Sequence, residues 1–189
     1  MSRNELTKFT LAGMFAAMAF VCFSYLRLEI PMGLGLTGKI YVGYTFIILA
    51  ALMLGPKYGG LTGAVGLTLA DVLAGYLTSA PPTFVAKFIL GWAVGFIAHK
   101  IYHLPEETDA HKISRIIITA SVLGSLLNVA TEPVLRYSFK YFILGLPHQL
   151  AYVSAINCAV SMAINNVVST CLACFLYKAL PSSVVQKAA

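Results

Sequence analysis

The chain of 189 residues is 59% hydrophobic and only 11% charged, with a mean hydropathy of +0.82; this composition excludes an ordinary soluble domain. The net charge of +6 does not point to nucleic acid, because the basic residues sit at the ends of apolar segments and do not gather on one face. Apolar runs of about 20 residues recur along the whole length, which predicts an all-α integral membrane protein filling 1–189 as one domain.

Six transmembrane helices are predicted, at about 6–26, 41–55, 58–78, 83–103, 113–133 and 149–179. The first run is too long for a signal-peptide core, and Arg27 and Glu29 follow it without a small-residue cleavage pattern, so it reads as a retained helix. It carries a stripe of small residues, Ala12 and Ala16 with Gly13 and Ala17 beside them, that would let another helix approach closely. Left exposed, that stripe would mark a partner.

The second and third helices meet at Leu54-Gly-Pro-Lys-Tyr-Gly-Gly, a turn needing glycine freedom and a proline stop. Asp71 follows in helix 3, and Ser79-Ala-Pro-Pro-Thr-Phe-Val-Ala-Lys87 leads into helix 4. An acid and a base buried in lipid-like sequence each cost roughly 2.5–3.5 kcal/mol on insertion scales, so a facing pair or a wet cavity is expected. Gly59/Gly63 and Gly91/Gly95 have the spacing that packs helices together. Farther along, Asn128 and Glu132 in helix 5 and Gln149, Tyr152 and Asn157 in helix 6 fall at the level of Asp71 and Lys87 on a rise of about 1.5 Å per residue. Asn165 and Asn166 lie deeper and at adjacent angles, so at most one is expected to face that interior. Arg136, Tyr137, Lys140 and Tyr141 read as an interfacial belt beyond a helix that stops at Pro133.

On this layout Arg3, Lys8, Lys57, Lys100, Lys112, Arg115, Lys178 and Lys187 share one side, which the positive-inside rule makes cytoplasmic, with both termini there. The outer connections, Leu28 to Ile40, Thr78 to Pro82 and Val134 to His148, are free to fold over a pocket. Several motifs are discounted. His99 and His103 lack a third metal ligand, and Cys171 and Cys174 have CxxC spacing without a redox context. All four cysteines, Cys22 and Cys158 included, lie in apolar segments and imply no disulfide framework. No nucleophile elbow, zinc-protease motif or ATP-binding loop is present, so no enzyme and no metal site is predicted.

The residues that carry a family likeness are the six apolar spans, Ala12-x-x-x-Ala16, Ile30-Pro-Met-Gly33, the Leu54-Gly-Pro-Lys-Tyr-Gly-Gly turn, and Ala80-Pro-Pro-Thr-Phe-Val-Ala-Lys87 with Gly91 and Gly95 behind it. Over nearly its whole length the chain resembles the substrate-binding S components of energy-coupling factor (ECF) vitamin transporters. In helices 3 and 4 it is most similar to those for riboflavin, hydroxymethylpyrimidine and pyridoxine-like compounds. Asn128-Val-Ala-Thr-Glu-Pro133 points to no one vitamin, and an N-terminus without histidine departs from the nickel and cobalt components.

The resemblance implies a cell-membrane protein that captures a vitamin or precursor from outside. It implies no covalent cofactor, and partners consisting of a transmembrane coupling subunit and two cytoplasmic ATPase subunits. The Ala12/Ala16 stripe would meet the coupling subunit. The ligand would lie between helices 4, 5 and 6, with Trp92 and the outer tyrosines, Tyr152 among them, stacking on a ring. Asn128, Glu132, Gln149 and Asn157 would supply hydrogen bonds, and Asp71 and Lys87 would either touch the ligand or pair with each other. The alternative is a self-sufficient secondary transporter coupled to protons through Asp71 or Glu132.

Overall fold

The computed structural model describes residues 3–33, 36–107 and 109–180. Six α-helices and one two-stranded hairpin run through them. Helix α1 (Arg3–Tyr25) leads into β1 (Arg27–Gly33) and β2 (Leu36–Tyr41); then follow α2 (Gly43–Leu54), α3 (Pro56–Leu73), α4 (Ala80–Phe96), α5 (Ala110–Ser138) and α6 (His148–Ala179). Wider π turns at Ile97–Ile101 and Phe139–Ile143 prolong α4 and α5. Counting these turns, α1, α4, α5 and α6 are each long and apolar enough to cross a membrane.

The bundle is inside out relative to a soluble protein. Leu126, Val167 and Phe175 are 60% exposed or more, whereas Lys87, Asn128, Glu132 and Asn165 are 1% exposed or less. Apolar side chains outside and polar ones within are what a hydrocarbon solvent selects.

Helix α2 departs from the predicted span. Its twelve residues rise about 18 Å, short of the roughly 30 Å hydrocarbon core, and eleven of them are buried. A helix apolar all round suits a position wrapped by other helices; α2 packs against α1, α3, α4 and α6. The connection before it, predicted as a loop from Leu28 to Ile40, is an antiparallel hairpin pairing Arg27 with Tyr41 and Ile30 with Gly38. Its register shifts between Pro31 and Gly33, as expected where proline cannot donate to the ladder. Apart from this hairpin the described residues are helical, as the all-α reading expected.

Glycines bring α3 and α4 together. A Cβ on Gly91 would lie 2.2 Å from the Gly59 carbonyl oxygen, and one on Gly95 would lie 2.6 Å from Pro56, so these backbones touch, as the spacing predicted. At the α2–α3 corner Gly55 has φ +87°, a conformation that favours glycine. Pro81 and Pro82 stand in the first turn of α4, where proline needs no hydrogen-bond partner. That helix therefore begins at Ala80 and not at 83, and α3 ends at Leu73 and not at 78.

The largest departure is α5. Instead of stopping at Pro133 it continues, with its π turn, to Ile143, and the expected loop from Val134 to His148 shrinks to residues 144–147. A membrane helix tolerates an internal proline when neighbouring groups satisfy the freed backbone.

Candidate functional site

At the end of the bundle where the β1–β2 hairpin, the α3–α4 turn and the α5–α6 turn gather, the helices border an open-mouthed cavity of about 350 Å³. It is lined by Phe23 of α1, Tyr41 of β2, Asp71 of α3, and Tyr76 and Ser79 of the α3–α4 turn. Arg136 and Lys140 from the extended α5, and Ser154, Asn157, Cys158, Ser161 and Met162 from α6, complete the lining. This volume lies within the range of small-molecule pockets.

Beneath the cavity lies a buried charge network. The ammonium of Lys87 forms an ion pair with Glu132 Oε2, donates to Asn128 Oδ1 at 3.3 Å, and sits 3.8 Å from the centroid of the Tyr44 ring. Glu132 is shared: its other oxygen, Oε1, accepts from Arg136 Nη2 at 2.9 Å and Nε at 3.2 Å. Arg136 Nη2 also donates to Thr83 Oγ1 at 3.1 Å, and Thr83 donates to Asp71 Oδ2 at 2.6 Å. A chain of polar contacts therefore crosses α3, α4 and α5. Removing water from such charges is costly, and paired, multiply hydrogen-bonded geometry is what offsets that cost.

Asparagines extend the network into α6. Asn128 Nδ2 donates to the Ala86 carbonyl at 3.3 Å, and Asn128 Oδ1 accepts from Asn166 Nδ2 at 3.3 Å. Asn165 Oδ1 accepts from the Tyr41 backbone N–H at 2.8 Å, which ties the hairpin to α6. Both asparagines are buried, Asn166 against Asn128 of the charge network and Asn165 against the hairpin. Tyr41 and Tyr44 share a 2.7 Å hydroxyl contact, and the Tyr44 hydroxyl donates to the Met162 sulfur at 2.8 Å. Met162 joins the charged floor to the cavity.

The structure sorts the predicted residues into three groups. Asp71 and Asn157 line the cavity. Lys87, Asn128 and Glu132 do not line it but lie buried beneath, a floor joined to the lining through Met162 and Arg136. Trp92, Gln149 and Tyr152 lie outside: Trp92 is 42% exposed and stacks on Phe96, Gln149 is exposed, and Tyr152 is 55% exposed and stacks on His148. The expected Asp71–Lys87 pair does not form. Lys87 faces α5, where Glu132 lies, and Asp71 instead takes the Thr83 hydroxyl.

Ala12 and Ala16 are also corrected. They are 6% and 8% exposed and pack on α3, where Thr62 Oγ1 donates to the Ala12 carbonyl at 3.3 Å and a Cβ on Gly66 would come 2.6 Å from the Ala16 oxygen. The stripe is used within the bundle; Gly13 and Ala17 beside it point outward. Nor do Arg136 and Lys140 form an interfacial belt, since both line the cavity. Their signal was legible as Glu132, Arg136 and Lys140 at successive i, i+4 positions, but only for a helix that runs on through Pro133. The His99 ring nitrogen Nε2 donates to the Leu52 carbonyl at 2.9 Å, and the cysteines are free thiols.

The family described as "ECF-type riboflavin transporter, S component" matches residues 3–182. No curated protein matches the chain by sequence. Among solved structures, the S component for biotin from an ECF-type ABC transporter superposes with a TM-score of 0.64 at 17% identity, over 98% of each chain. The S component of a bacterial ECF transporter superposes with a TM-score of 0.60 at 20% identity, over 95% of this chain and 98% of the other. At such identities the likeness is one of fold.

Proposed function

Because the chain belongs to the S-component family of ECF-type riboflavin transporters, and so is a multi-pass substrate-binding subunit of a transporter, we propose that it captures a small vitamin or vitamin precursor from outside the cell membrane. Riboflavin-like, hydroxymethylpyrimidine and pyridoxine-like compounds are the candidate ligands. The observation that carries this reading is the 350 Å³ cavity above a buried charge network, since ionisable residues inside a membrane bundle gather at ligand and ion pathways. Cavity residues Asp71, Asn157, Arg136 and Tyr41 meet the ligand, while Lys87, Asn128 and Glu132 hold the floor rigid.

The chain passes the bilayer six times with both termini in the cytoplasm, the short α2 making its passage wrapped by other helices. Lys57, Lys100, Lys112 and Arg115 support this orientation, since they cluster at the end of the bundle remote from the cavity, as the positive-inside rule requires. The cavity then opens outward. Import is driven by a coupling subunit and two ATPase subunits, and α1 meets the coupling subunit through its exposed Gly13/Ala17 face.

Calorimetric titration of the purified chain in lipid nanodiscs with the candidate vitamins tests the reading. One-to-one saturable binding of a single vitamin class is expected, and failure of every vitamin to bind would sink the proposal. The proton-coupled alternative loses ground because Glu132 is clamped between Lys87 and Arg136, with no evident freedom to exchange its proton partner during a transport cycle.

A further inference from the structure

We propose that the ligand carries one anionic group, a carboxylate or a phosphate, that seats in the corner of the cavity formed by Arg136, Lys140 and Ser154. This rests on the reading of the cavity as the vitamin site; it selects a phosphorylated form of the candidate vitamins or a carboxylate vitamin beyond them.

The first argument is charge. Two cations, Arg136 and Lys140, and one carboxylate, Asp71, line the cavity. The floor adds Lys87 and Glu132, which pair with each other. Three cations thus stand against two carboxylates, and one positive charge is left over. Glu132 is already divided between Lys87 and Arg136, and Lys140 has no carboxylate partner among the described residues. Arg136 and Lys140 are also four residues apart on one continuous helix face, where like charges repel.

The second argument is donor geometry. Lys140 Nζ donates to Ser154 Oγ at 2.6 Å; because that oxygen accepts, the Ser154 hydroxyl proton is free to point onward. Two further N–H groups of the ammonium have no partner among the described residues. Arg136 uses Nε and Nη2 on Glu132 and Thr83, and its guanidinium also bonds the Cys158 thiol. The corner therefore presents the remaining N–H groups of Lys140 and the Ser154 hydroxyl from two helices, with the Asn157 side-chain carbonyl oxygen an acceptor in the same cavity. A ligand oxygen with negative charge accepts from the Lys140 and Ser154 donors and supplies the missing counter-charge, whereas a neutral group supplies the hydrogen bonds alone.

The test is calorimetric titration of the full chain in nanodiscs with uncharged riboflavin and pyridoxine, with the carboxylates biotin and nicotinate, and with riboflavin 5′-phosphate. The same titrations are run on Lys140→Gln and Ser154→Ala, whose folding is checked by thermal unfolding. A carboxylate or the phosphate ester should bind more tightly than the uncharged members, and which of the two does so identifies the anion. Lys140→Gln should weaken that ligand about tenfold or more, the scale of a charge-assisted hydrogen bond; Ser154→Ala should weaken it less. An uncharged member that binds best, or unchanged affinity in both variants, overturns the anionic group while leaving vitamin capture standing. No binding by any member overturns both.

Discussion

Glu132 holds two cations, and its burial makes its loss severe. Glu132→Gln should destabilise the protein by about 3–5 kcal/mol, since it leaves Lys87 and Arg136 facing each other without a counter-charge; denaturant unfolding in mixed micelles would measure this. By contrast, Asp71→Asn should cost no more than about 1.5 kcal/mol, because the amide oxygen can still accept from Thr83. Equal losses in the two variants would argue against the network as drawn. The sequence marked Asp71, Lys87, Asn128 and Glu132 as one polar level, because charge in apolar runs is conspicuous. It could not give the pairing, since Lys87 chooses between Asp71 and Glu132 by helix rotation, and depth counted from the rise per residue is blind to azimuth.

At the scale of the element, the contact between α3 and α4 is set by glycine. Replacing Gly91 with alanine drives a methyl group into the Gly59 carbonyl and should cost about 1–3 kcal/mol or more. Gly13→Ala places its methyl group where nothing lies within 4 Å, so it should be neutral or gain up to about 1 kcal/mol from helix propensity. Thermal unfolding of the two variants side by side is the measurement, and a Gly91 variant as stable as the Gly13 variant would refute the tight packing. The spacing of these glycines was legible, and so was the Gly55 corner. The course of α5 was not. Proline is read as a stop in water, whereas in the bundle the helix passes Pro133 and carries Arg136 and Lys140 to the cavity.

For the whole molecule, the proposed topology places Gly145 outside and Lys57 inside. In a cysteine-free background, Gly145→Cys should be modified by a membrane-impermeant maleimide added to intact cells, and Lys57→Cys only after lysis; the opposite pattern would invert the orientation. Reconstituted alone in liposomes, the chain should bind vitamin without accumulating it, and accumulation without ATPase partners would restore the secondary-transporter reading.

By itself the sequence determined the membrane class, the six helical segments, the glycine corner and the depth at which polar groups collect. These follow from composition and spacing, which act locally along the chain and need no knowledge of neighbours. Only the tertiary structure decided that α2 is a short helix wrapped by others, that residues 27–41 pair as a hairpin, that Ala12 and Ala16 are occupied by α3, and that Glu132 serves both Lys87 and Arg136. Each of those outcomes depends on which faces meet across helices distant in sequence. In an apolar solvent that choice rests on close packing and on satisfying buried polar groups, neither of which a single chain's pattern of residues records.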